Sequence, residues 1–168
     1  MDESLVKHFT IPNKTLEFEW EDPCSLVVLL RSEIVGVTVM HWRDTKTPSI
    51  IFFKKLSGEI IRVQSNMHDI ATRVEVGVLV FSREITELVT HDLNYIHGMT
   101  GNNLVQKLTL IESGTKAECG IMITSRIGSR IVVLPGVAPF SLAILGIEGV
   151  ESDFRPEYKL ERYEVESF

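Results

Sequence analysis

Hydrophobic positions in this chain recur mostly at every second residue, the period of strands with one face buried. Thr15-Leu-Glu-Phe-Glu-Trp-Glu21 alternates most cleanly: Leu16, Phe18 and Trp20 point one way, Glu17, Glu19 and Glu21 the other. Asp22-Pro23 ends that strand, because proline donates no ladder hydrogen bond and restricts the residue before it. Ser25 to Leu30 is continuously apolar and predicts a strand covered on both faces. A helix from Leu26 to Met40 is the competing reading, disfavoured by Gly36 and by the density of β-branched residues. Ile34 to Trp42 predicts the next strand and Arg43 to Pro48 a loop. Ser49–Lys55 and Glu59–Gln64 form a hairpin about Leu56-Ser-Gly58, and Asn66 to Asp69 reads as a second turn.

The period then changes. Val74, Val76, Val78 and Val80 lie on one side of a strand from Arg73 to Phe81, whereas Ile85, Leu88, Val89, Leu93 and Ile96 fall at helical spacing. Gly98 stands where such a helix would stop. Four further strands follow, Leu104–Glu112, Ala117–Ser125, Arg130–Leu134 and Phe140–Ile147, and Lys159–Glu166 predicts a last edge strand. The pattern implies a mainly β (α+β) chain. Its expected form is an antiparallel β-sandwich or partly open barrel of about nine strands, with one amphipathic helix near 83–97. The 168 residues suit a single domain.

Charge adds a second pattern. The net charge is −6. Residues 1–22 hold six acids against two bases and residues 148–168 seven against three, while the middle holds ten acids and twelve bases. A body without a basic footprint argues against nucleic acid as partner, and acidic ends favour a basic protein. No apolar run approaches the roughly 20 residues of a membrane helix, and the start lacks the basic and apolar regions of a secretory signal. The expected location is therefore the cytoplasm, with no membrane partner. Cys24 and Cys119 are too few for a disulfide framework and read as buried thiols.

Candidate chemistry is sparse. The five histidines, His8, His41, His68, His91 and His97, lack metal-ligand spacing, and no HExxH or paired-cysteine motif occurs. No GxSxG presents a nucleophile, and the loop Gly98–Asn103 matches no phosphate-binding fingerprint. The expectation is no cofactor, no metal and no catalytic residue. Glu17, Glu19 and Glu21 form a linear acidic stripe, better suited to steering a partner than to proton transfer, since exposed carboxylates keep ordinary pKa values. Phe154, Glu157, Tyr158 and Glu161 set aromatics among acids in a terminal segment, a plausible partner surface.

These features point to a non-catalytic protein-binding domain. Its sharpest form is an acidic immunity or inhibitor protein that covers a basic surface of a bacterial toxin. Two other classes compete. One is a sandwich or barrel that holds a small ligand inside, with or without catalysis, using groups such as His41, His68 or His91. The other is a phage or assembly component whose strand edges pair with neighbouring subunits.

Overall fold

The structure, a computed structural model, describes residues 14–20, 26–84, 94–95, 99–147 and 154–168. In chain order the elements are β1 (Lys14–Leu16), β2 (Glu19–Trp20), α1 (Leu26–Arg31), β3 (Ile34–His41), β4 (Pro48–Lys55), β5 (Ile60–Ala71), β6 (Val74–Glu84) and β7 (Asn94–Tyr95). Then come β8 (Leu104–Glu112), β9 (Thr115–Thr124), β10 (Arg130–Pro135), β11 (Leu142–Leu145), a 3-10 turn (Leu160–Arg162) and β12 (Glu164–Ser167). Two six-stranded sheets result. One runs β11-β10-β9-β8-β12 with β1 added beside β9, the other β2-β6-β5-β4-β3-β7. They pack as a sandwich, and neither closes into a barrel. Among the described residues no helix is long and apolar enough to cross a membrane.

The main core lies between the sheets, where Val37, Ile51, Phe53, Val63 and Phe81 meet Val105, Ile121, Ile123, Ile131 and Val133. A second cluster joins Val76 and Val78 to Leu108, Leu110, Ala117, Val132 and Leu134, with Tyr163, Phe154 and Tyr158 of the terminal segment packed onto it. Strands β6 and β10 are thus buried on both faces, each giving alternate residues to the two clusters. Strand β9 reaches both by a different device. Its pairing jumps from Leu108↔Gly120 to Thr109↔Glu118, so Cys119 is an extra residue, and the slip carries Ala117 to the second cluster.

Four expectations change. Leu26–Arg31 is a helix rather than a doubly covered strand: Leu26 and Leu30, four apart, are buried while Val28 is 64% exposed. Three of its last carbonyls find partners, Leu29 in the Ser32 hydroxyl and the Lys55 ammonium, Leu30 in the Asn103 side-chain amide and Arg31 in the Asn103 backbone N–H. Asn66–Asp69 is no turn but the middle of β5, and the chain reverses instead at Thr72–Arg73, with Arg73 at φ +60°. The last internal strand begins at Leu142, not Phe140. The helix near 83–97 lies largely outside the described residues. Within its span Arg83 and Glu84 complete β6, and Asn94–Tyr95 pair as a strand with Gly36 and Val37.

The stretch Thr15–Glu21 keeps its alternation but splits between sheets. Strand β1 runs parallel to Thr115–Ala117, the Phe18 N–H donates to the Glu118 carboxylate at 3.1 Å, and β2 runs parallel to Val80–Phe81. Phe18 and Trp20 both meet Phe81 edge-on, at 5.4 and 6.2 Å between ring centres. One short segment therefore stitches both halves of the sandwich.

Candidate partner-binding surface

The distal half of the β5–β6 hairpin organises the charged surface. Cross-strand pairs there run Asn66↔Val78, His68↔Val76 and Asp69↔Glu75. Residues directly opposite on antiparallel strands have Cβ atoms about 5 Å apart, so Asp69 and Glu75 set two like charges side by side. Both are exposed, and among the described residues neither carboxylate has an ion-pair partner.

Glu19 reaches the β5 arm of this hairpin. Its Oε1 accepts from Asn66 Nδ2 at 3.2 Å and lies 2.8 Å from His68 Nε2. The terminal segment reaches the β6 arm. Among the described residues no strand lies beside the outer edge of β6 beyond β2, and Gly77 N–H donates to Glu157 Oε2 at 2.9 Å while Tyr158 OH donates to the Glu75 carbonyl at 3.3 Å. Two side chains thus occupy edge groups that a neighbouring strand would otherwise use. Glycine is required at this point, since a Cβ on Gly77 would overlap Pro135 of β10.

Glu157 is consequently part of the fold as well as of the surface. Burial pushes its carboxyl above the usual range, the nearby Glu75 adds to that, and the Gly77 N–H opposes both. The same region raises the Cys119 thiol and the Tyr163 phenol through burial, with Glu157 adding to each. Cys119 is a buried free thiol.

The remaining candidates separate. Glu17 is exposed in the crossover between β1 and β2, and Glu161 is exposed in the 3-10 turn. Glu21 lies outside the described residues. Phe154 packs on the second cluster, and Tyr158 lies against it with the Arg162 guanidinium 5.3 Å from its ring centre. These aromatics dock on the protein's own sheet. Elsewhere four acids are paired: Glu118 binds Lys107, Glu166 binds Lys116, Glu112 binds Arg162 and Glu59 binds Arg83.

The structure thus brings Glu19, Glu157 and Tyr158 to one hairpin and leaves Glu17 and Glu161 apart from it. It adds Asp69 and Glu75, which sequence reasoning missed. The signal was weak, because Ala71-Thr-Arg-Val74 carries no Gly, Pro or Asn to mark a reversal. No group of three or more His, Cys, Asp or Glu among the described residues is arranged to hold a metal. Comparison of the chain with protein-family models, with curated proteins and with solved structures returned no match.

Proposed function

We propose that this protein is a non-catalytic protein-binding domain that uses the acidic end of the β5–β6 hairpin to engage a basic partner. The observation that carries the reading is the direct pairing of Asp69 with Glu75, flanked by Glu19 on one arm and Glu157 on the other. Like charges directly opposite cost the free protein a few tenths of a kcal/mol, roughly 0.2–1. A lysine or arginine seated between them converts that repulsion into two charge-assisted contacts. The field of these carboxylates also steers a cationic surface toward the hairpin, raising the association rate at low salt. In its sharpest form this is an immunity or inhibitor protein covering the basic face of a bacterial toxin. The acidic ends of the chain and the lack of a catalytic motif support that form.

The test is a tagged pull-down from the native host at low and high salt, with mass spectrometry of what is retained, repeated with Asp69→Lys/Glu75→Lys. The expected result is one stoichiometric basic protein, released by salt, with affinity lowered about a hundredfold by the charge reversal, equivalent to about 2.7 kcal/mol. A complex indifferent to both salt and reversal would overturn the reading.

A further inference from the structure

Away from the hairpin, the two sheets meet around a pocket of about 200 Å³. One wall is the loop entering β4, with Lys46, Thr47 and Pro48; the facing wall is the β10–β11 loop, with Val137, Ala138 and Leu142. Arg155 lines it as well, and its backbone carbonyl accepts the Val137 N–H at 3.0 Å, which anchors the terminal segment beside the opening.

Both walls are braced. Gly136 N–H donates to the Ser141 carbonyl at 2.9 Å, the Ser141 hydroxyl donates to the Ala138 carbonyl at 2.5 Å, and Trp42 N–H donates to the Thr47 carbonyl at 3.0 Å. A Cβ at position 136 would overlap the Ser141 hydroxyl, so the turn closes this tightly only with glycine. Next to the lining, Phe140 holds a left-handed backbone at φ +61° and is 55% exposed, and Val137 is 65% exposed. A bulky residue in that conformation is strained and persists only where its surroundings fix it. The loop therefore leaves Val137 and Phe140 in solvent at the edge of the pocket, where core packing does not explain them.

The lining pairs two cations with an apolar wall and contains no carboxylate. Lys46 and Arg155 each have a further interaction of their own, so a bound anion shares these charges instead of claiming bare ones. Size narrows the class. An apolar cavity of about 150 Å³ accommodates benzene, and pockets for drug-sized ligands run to roughly 300–1,000 Å³. We propose that this pocket binds a small apolar carboxylate of about benzoate's size, its charge between Lys46 and Arg155 and its apolar body against Pro48, Val137 and Leu142. Such a group is either a free acid or the last residue of a peptide.

The experiment is an amide chemical-shift titration of the isotopically labelled full chain at constant ionic strength. Benzoate is the probe, benzyl alcohol its uncharged counterpart, and acetyl-phenylalanine the model of a chain terminus. Saturable shifts are expected at Thr47, Val137, Ala138 and Leu142, with benzoate bound at least tenfold more tightly than benzyl alcohol. Val137→Asp, an exposed change at the mouth, should lower benzoate affinity tenfold or more. Lys46→Gln/Arg155→Gln should remove the preference for benzoate while leaving benzyl alcohol binding in place. The amide spectrum of each variant reports that it is folded. Acetyl-phenylalanine binding as well as benzoate supports a peptide terminus as the source, and its exclusion supports a free acid. Equal affinity for benzoate and benzyl alcohol, the absence of saturable shifts at these residues, or a preference that survives both charge variants would each overturn the proposal.

Discussion

The hairpins β5–β6 and β8–β9 are built on the same plan and carry opposite electrostatics. In β8–β9 the charges are balanced. Lys107 on one arm meets Glu118 on the other at 2.6 Å, and the adjoining β12 brings Glu166 to Lys116. In β5–β6 the distal arms place Asp69 against Glu75. Glu19 arrives from the N-terminal segment and Glu157 from the C-terminal one, so the neighbouring elements add acids instead of bases. The turns differ in the same sense. Ser113–Gly114 is the expected hairpin chemistry, with both residues at positive φ, whereas Thr72–Arg73 forces an arginine to φ +60°. One hairpin pairs its charges across the strands; the other sets two carboxylates face to face.

That contrast can be broken at several strengths. The largest effect is expected on the balanced side from Gly120→Ala, because a Cβ there overlaps the Val133 carbonyl as well as the Leu134 side chain. Backbone crowding of this kind places the loss near the upper end of overpacking costs, about 3 kcal/mol, measured by urea denaturation. Glu118→Ala comes next. It leaves the Lys107 ammonium and the Phe18 N–H without their shared carboxylate, in side chains that are 20% and 14% exposed for the Lys107–Glu118 pair. Discounted for that partial exposure, the loss is about 2 kcal/mol, and the same urea series reads it.

On the unbalanced side the changes are smaller and of opposite sign. Glu157 has a folded-state carboxyl pKa above its ordinary value, so its contribution is fully present below that ordinary range and is lost as pH rises through the elevated one. Glu157→Gln keeps an acceptor for Gly77 N–H and removes the titration. Its stability relative to the parent should therefore rise from acid to neutral pH, and denaturation midpoints at a series of pH values would show a flat difference if the carboxyl were unperturbed. Asp69→Asn removes one of two facing charges and should stabilise by about 0.3 kcal/mol at low salt, vanishing as salt screens the pair. A destabilised Asp69→Asn would mean that the hairpin end is balanced after all.

Where alternation met a recognisable turn, the sequence was a sufficient guide. Leu104–Glu112 is a strand with the bounds its pattern implies, and the Leu56–Gly58 hairpin stands where glycine marks it. Leu26–Leu30 misleads because five consecutive apolar residues carry no period, and only the exposure of Val28 reveals which face is free. Of the candidate surface, the acids themselves were legible and their arrangement was not. Glu19 and Glu157 are 138 positions apart, and their meeting on one hairpin depends on a segment that changes sheets after two residues and on a side chain that takes the place of a strand. Neither leaves a local signature. Asp69 was hidden for the simpler reason that its strand runs on through residues that favour turns.

The segment Lys14–Trp20 has a consequence for how the chain is made. It leaves the ribosome before its partner, for the carboxylate that accepts the Phe18 N–H belongs to Glu118, 100 positions later. At roughly 5–20 residues per second of synthesis, Leu16 and Phe18 wait about 5–20 seconds before their partners on β9 exist. Two parallel pairings with distant strands are also among the slowest contacts to close. The stitch that holds the finished sandwich together is therefore among the last parts tied.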